Sequence, residues 1–314
     1  MRVGLMLPPD CELPGVVPFA RDAEALGFDF LACGEHVFFH GPTANAFVAL
    51  AAAAGGTRTI RLLSALTILP MYPAALAAKL IATLDGVSGG RFELGVGVGG
   101  EYPAEFGACG VPVAERGRRT DEALTVLTRL LAGEPVHFAG RHTTLTGQRL
   151  EPASAQRPRP PIWIGGRREA SMRRAGRYGD GWLPYLMAPD QVARGLATAR
   201  AAAADCGREP AGVRAGVFCW SAVSPDGNWA RRTAADTVSA TYQQDLRPRA
   251  GRYLLAGTPA EVTARLAEYA AAGAESVVFA PACPAADVAT VIRTFASEVM
   301  PRLRQEPAGS GASA

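Results

Sequence analysis

Short apolar runs, each followed by a longer amphipathic stretch, recur from one end of this chain to the other. That alternation restricts the fold to a parallel sheet built from strand–helix–strand units. The runs expected as strands are Arg2–Leu7, Asp29–Cys33, Ile60–Leu66, Phe92–Val96, Ile162–Ile164, Gly181–Pro184, Arg214–Trp220 and Ser276–Phe279. Between them, helical spacing covers Gly15–Leu26, Asn45–Ala54, Ala74–Leu84, Arg119–Leu131, Glu169–Arg177, Pro189–Ala204, Glu261–Ala271 and Ala285–Met300. Pro189-Asp190 and Thr258-Pro259 are helix-opening pairs, and Gly27 and Gly273 stop helices before a strand.

Eight strands in unbroken alternation predict an α/β fold closed as a (β/α)8 TIM barrel, and the open doubly wound sheet is the alternative built from the same units. The 314 residues accommodate one such barrel over 1–304, with a small, polar tail from Gln305 to Ala314 expected to be disordered. Two insertions interrupt the rhythm, one after the fourth strand and one after the seventh. Glu134 to Arg159 reads as a β-hairpin around Ala139-Gly140-Arg141, ending in the proline-rich Pro152 to Pro161. Ser221 to Tyr253, with Pro225-Asp226-Gly227 as a turn, is a long excursion of the kind that carries substrate contacts.

Composition excludes several classes. A hydrophobic fraction of 48% with 19% charged residues supports a large core and rules out a disordered interaction protein. A net charge of +3, with scattered arginines, gives no support to nucleic-acid binding. No run reaches the roughly 18 apolar residues of a membrane span, and the first residues lack the pattern of a signal peptide, so a cytoplasmic location is expected. The six cysteines have no metal-site spacing and are expected to be reduced.

In a barrel of this kind the chemistry sits at the C-terminal ends of the strands. Gly34-Glu35-His36 follows the second strand, Gly97-Val98-Gly99-Gly100-Glu101 the fourth and Gly165-Gly166-Arg167 the fifth. The run Gly95 to Gly100 spells G-x-G-x-x-G, but it follows the fourth strand and opens no helix, which removes the dinucleotide reading. Either a ligand approaching bare backbone or tight barrel packing explains it. Gly165-Gly166, between a strand and a helix start and beside Arg167 and Arg168, is either an anion cradle or an ordinary turn. His36 is the one histidine at a strand end, where an imidazole can exchange a proton near neutral pH, although a lone histidine is more often structural. Glu35 can bond a ligand hydroxyl or cap the next segment. His40, His137 and His142 look incidental. Phe38, Phe39, Trp220, Trp229 and Tyr185 are candidates for an apolar, partly aromatic pocket.

Several segments taken together resemble the luciferase-like monooxygenase superfamily. They include Pro73 to Lys79, Leu84-Asp85-Gly86-Val87-Ser88-Gly89-Gly90-Arg91, Leu94 to Gly97, Glu105-Phe106, Glu115-Arg116-Gly117, Arg159 to Arg167, Gly179-Asp180-Gly181-Trp182 and Gly257-Thr258-Pro259. The resemblance implies a barrel with a non-proline cis peptide near the end of the third strand, where a flavin or deazaflavin ring rests. It places a bulge at Ser64-Ala65 and a cofactor contact at Thr67, the glycine stretch at Gly97, Val98 and Gly99, and a phosphate turn at Gly165, Gly166 and Arg167. His36 matches the histidine of deazaflavin members. Glu35 stands where members using coenzyme F420 often have Asp, and a catalytic acid after the fourth strand falls on Gly100 or, with a one-residue slip, on Glu101.

The implied activity is hydride transfer between coenzyme F420 and a small organic substrate, with His36 exchanging the proton and relatives that are commonly homodimers. The arginine-rich composition, in which Lys79 is the only lysine, weighs toward F420. The alternatives are an FMN-dependent monooxygenase using oxygen and, from another class, a flavin-binding protein without turnover.

Overall fold

The strands close the ring that their alternation predicts, which removes the open-sheet alternative. The computed structural model describes residues 1–9 and 11–305, and the tail expected to be disordered lies, from residue 306 onward, outside the described residues. In chain order the strands are β1 (Arg2–Met6), β2 (Phe30–Cys33), β3 (Arg61–Ser64), β4 (Thr67–Ile68), β5 (Phe92–Gly97), β6 (Val136–Ala139), β7 (Thr144–Gln148), β8 (Ile162–Gly165), β9 (Gly181–Leu183), β10 (Arg214–Val223), β11 (Leu255–Gly257) and β12 (Ala274–Pro281). Parallel pairing runs β1-β2-β3-β5-β8-β9-β10-β12 and returns to β1, with Leu5 beside both Leu31 and Phe279. The short β4 continues β3 and pairs with β5, β11 adds to the outer end of β10, and β6 with β7 forms the expected hairpin.

Helices α1 (Val16–Ala25), α2 (Ala46–Gly56), α3 (Ala74–Val87), α4 (Pro103–Ala108), α5 (Arg116–Leu131), α6 (Glu169–Tyr178), α7 (Pro189–Asp205), α8 (Gly227–Tyr242), α9 (Ala250–Tyr253), α10 (Pro259–Ala271), α11 (Ala285–Thr294) and α12 (Met300–Gln305) accompany the strands. The short α4 and α9 are additions that the spacing does not predict, and two larger differences affect α8 and the C-terminal helix. The excursion after the seventh barrel strand contains α8, sixteen residues long, because Asp226 serves as an N-cap and accepts the Asn228 and Trp229 N–H groups at 3.0 Å each. The single helix expected over Ala285–Met300 is broken by a wide π turn, Phe295–Val299, whose first residue is fully buried against Phe279 and Phe28. No helix among the described residues is long and apolar enough to cross a membrane.

Side chains alternate between two cores, as strand geometry requires. Phe30, Ala32, Leu63, Trp163, Leu183 and Val278 form a cluster of their own, while the neighbouring Leu31, Leu62, Ile162, Ile164 and Val277 pack with the helices. Burying each large apolar side chain contributes about 1.5–3 kcal/mol. The N-terminal end of the barrel is tied by a charge. Glu93, 3% exposed, accepts Arg61 Nε at 2.6 Å, Arg2 Nη1 at 3.0 Å and Trp163 Nε1 at 2.6 Å. Burial alone would raise its carboxyl pKa, but these donors and the two positive charges hold it near 2. Anchoring at one end leaves the opposite rim for chemistry.

Candidate active site

The C-terminal ends of the strands frame a cavity of about 480 Å³, within the roughly 300–1,000 Å³ of small-molecule sites. His36, three residues beyond β2, lines it. Its Nδ1 lies 3.1 and 3.2 Å from the two carboxylate oxygens of Glu105, a fully buried residue of α4 that also accepts the Val37 N–H at 3.1 Å. A carboxylate only accepts, so the neutral ring keeps its proton on Nδ1, and Nε2 has no protein partner among the described residues. Phe39 stacks on the imidazole with centroids 4.2 Å apart and planes 17° from parallel. One nitrogen is therefore oriented by Glu105 and the other is available to a ligand.

Glu35 lines the same cavity, but its carboxylate is engaged by the protein. It accepts the Ile68 N–H at 2.9 Å, the Tyr72 O–H at 3.1 Å and the Ala46 N–H at 3.4 Å, joining the end of β2 to β4 and the start of α2. Burial, opposed by these donors, pushes its pKa up. Burial likewise raises that of the Tyr72 phenol, with the Glu35 charge next in effect.

The non-proline cis peptide that the family resemblance implies near the end of the third strand is present between Ala65 and Leu66, and the bulge expected at Ser64-Ala65 directly precedes it. Ala65 and Leu66 line the cavity, whereas Ser64 and Thr67 lie behind that lining. The Ser64 hydroxyl donates to the Gly95 carbonyl at 3.1 Å and accepts the Gly95 N–H at 2.9 Å, bracing β3 against β5. Thr67 is fully buried and its Oγ1 has no hydrogen-bond partner.

Gly97, Val98 and Gly99 line the wall above β5, and Gly99 holds φ at +60°. Gly165 and Gly166 line the wall beyond β8. A Cβ on Gly165 would sit 1.9 Å from Leu66 Cδ1, so the absent side chain is what lets Leu66 pack on bare backbone. Arg167 lies outside the lining with its guanidinium 4.7 Å from the centre of the Tyr185 ring, and the Tyr185 hydroxyl donates to Glu101. Glu101 and Tyr185 both line the cavity, and burial first and the Glu101 charge second raise the Tyr185 pKa.

Of the aromatic candidates, Phe39, Tyr185 and Trp220 line the cavity. Phe38 does not, standing 52% exposed on the surface, and Trp229 packs behind the wall. His40, read as incidental, is part of the lining. Sequence reasoning assigned no role to Glu105, Phe218 or Tyr242. Glu105 is legible in the sequence only as half of a motif, and Tyr242 ends a helix where the sequence predicts a loop; the spacing of Ala230, Ala234 and Val238 is a usable signal for that helix.

The family model described as luciferase-like monooxygenase matches residues 1–276. The uncharacterized protein Rv0940c of Mycobacterium tuberculosis is 32% identical over 192 residues, which is 61% of this chain and 64% of that protein, so the chain spans somewhat under two thirds of this curated relative. Among solved structures, the monooxygenase RslO1 from Streptomyces bottropensis superposes with a TM-score of 0.85 at 25% identity, over 96% of this chain and 100% of that one. An F420-dependent secondary alcohol dehydrogenase in complex with an F420-acetone adduct superposes with a TM-score of 0.82 at 22% identity, over 97% and 99% of the two chains, a likeness of fold. The closed parallel barrel, the cis peptide in the cavity wall and the match over residues 1–276 have one reading: the chain belongs to the luciferase-like monooxygenase family.

Proposed function

We propose that this protein is an oxidoreductase that moves a hydride between coenzyme F420 and a small organic substrate, with His36 exchanging the proton. The observation that carries the reading is the His36–Glu105 pair, which fixes the ring and leaves Nε2 unpartnered in the cavity. A planar redox ring fits the residues present. Ala65, Leu66, Gly97, Val98 and Gly99 offer an apolar, largely bare wall, and the Thr67 hydroxyl just behind it is buried without a partner. The Gly165-Gly166 main chain, where β8 turns toward the ten-residue α6, and Arg167 would hold the phosphate end. When bound, F420 supplies a two-electron hydride carrier.

The protein's own task is then at the substrate oxygen, where Nε2 accepts a proton as an alcohol is oxidised or returns it as a carbonyl is reduced. The structurally similar alcohol dehydrogenase, described as a complex with an F420-acetone adduct, supports considering chemistry of this type. Glu101, bonded to Tyr185, is proposed as a second polar contact at the mouth. A homodimer in the cytoplasm completes the proposal, read by sedimentation velocity and cell fractionation.

The test is turnover of a panel of primary and secondary alcohols with F420 under strict exclusion of oxygen. The proposal expects product and reduced F420 in equal amounts. An absolute requirement for oxygen and FMN would replace it with the monooxygenase reading.

A further inference from the structure

The cavity wall formed by β10 and α8 carries a second polar group that the redox chemistry does not use. Phe218 and Trp220, two apart on β10, both line the cavity and meet edge to face with centroids 5.3 Å apart at 83°. Trp220 meets Tyr242 in the same way, 6.3 Å apart at 83°. The Trp220 indole N–H donates to the Tyr242 hydroxyl at 3.3 Å. A tyrosine hydroxyl has one proton, and with an indole donating to its oxygen that proton must point elsewhere. Among the described residues it meets no acceptor, while Tyr242 itself lines the cavity. Gln243, in the left-handed region at φ 51°, caps α8 directly after this tyrosine. Burial first, and the Glu101 charge second, push the Tyr242 phenol up to about 12, so it remains a donor at neutral pH.

Among the cavity's polar side chains, the glutamates are already bonded, Glu35 to Ile68, Tyr72 and Ala46 and Glu101 to Tyr185. Much of the remaining lining is apolar, including Met6, Leu66, Leu183, Phe218 and Trp220. Such a wall recognises a flat apolar body and one acceptor atom.

We propose that Tyr242 is a specificity-determining residue: the substrate is a planar, mostly apolar molecule that lies against Phe218 and Trp220 and accepts a hydrogen bond from the Tyr242 hydroxyl through a carbonyl or ether oxygen remote from the reacting carbon. This rests on the reading of the cavity as a redox site and names the substrate class it serves. An unmet donor in the cavity also rejects purely hydrocarbon ligands, since binding one strips the hydroxyl of water without replacement.

The experiment uses calorimetric titration of the full-length protein, alone and saturated with whichever of F420 and FMN it binds, with two matched probes, 2-acetylnaphthalene and 2-ethylnaphthalene. The wild type is expected to bind the ketone about tenfold more tightly than the hydrocarbon, and Tyr242→Phe to remove that preference, with the ketone bound more weakly and the hydrocarbon, no longer stripping a hydroxyl of water, at least as tightly as by the wild type. Trp220→Phe, which frees the hydroxyl to turn away, lowers the preference in the same direction and serves if the first variant is unstable. A ketone preference that survives both substitutions, or equal wild-type affinity for the two probes, overturns the proposal. Coenzyme binding is measured separately in the same titrations, so loss of the redox reading shows as failure to bind either coenzyme, with the Tyr242-dependent preference read on the protein alone.

Discussion

His36 and Glu105 stand 69 residues apart in sequence and meet with Nδ1 3.1 Å from Oε1, one partner lining the cavity and the other fully buried. The imidazole thus presents a defined nitrogen to whatever enters. His36→Asn keeps a polar side chain of similar reach but has no Nε2 to exchange a proton. We expect kcat to fall by roughly 10²–10⁴-fold with the dissociation constant of the coenzyme within about twofold of wild type, both from steady-state assay and fluorescence titration. Unchanged turnover would remove His36 from the chemistry.

Glu105 acts through His36 and is a positioning residue. Glu105→Gln retains the shape but can present an amide N–H to Nδ1, which favours the opposite tautomer. A loss of roughly 10–100-fold in kcat, with KM and the thermal midpoint close to wild type, is the expected result. A variant that loses stability without changing kcat would make Glu105 a purely structural partner.

At the other end of the barrel, Glu93→Gln leaves Arg2 and Arg61 without their shared carboxylate. With both arginines about one-third exposed, solvent screening limits the cost to about 2–3 kcal/mol in urea unfolding at neutral pH. Because the folded pKa is depressed to about 2 from 4.5, the stabilisation is complete above the unfolded value and lost as pH falls from 4.5 toward 2. Wild type and variant should therefore converge in stability across that window, and a constant difference would contradict the assignment.

Ser64→Ala removes both hydrogen bonds to Gly95 and should cost about 1–2 kcal/mol. Gly95→Ala should cost more, since a Cβ there would lie 2.0 Å from the Ser64 carbonyl oxygen, which the backbone cannot yield. Thermal unfolding that ranks the two in reverse would mean that β3 and β5 are joined differently.

The barrel is legible in the sequence because its strands are apolar runs and several crossover helices are punctuated, as the Thr258–Glu261 capping box illustrates with bonds of 2.8 and 3.3 Å. Helix α8 is obscured because Asp226 reads equally as a turn residue and as a cap, and its buried face is mostly small residues. The place of the rim glycines and His36 in the cavity lining is legible because they follow strand ends. That of Glu105 and Tyr242 is not, since their roles come from contacts with His36 and Trp220 that no local spacing encodes. The engagement of Glu35 by Ile68, Tyr72 and Ala46 belongs to the same class, because it depends on three segments meeting in space.

If the rim is built for a deazaflavin, titration of the purified protein with F420 and with FMN, followed by fluorescence, will separate the two. Saturable, tight binding of F420 is expected, with FMN bound at least tenfold more weakly, a difference of about 1.4 kcal/mol or more. Tight binding of FMN with none of F420 would contradict it.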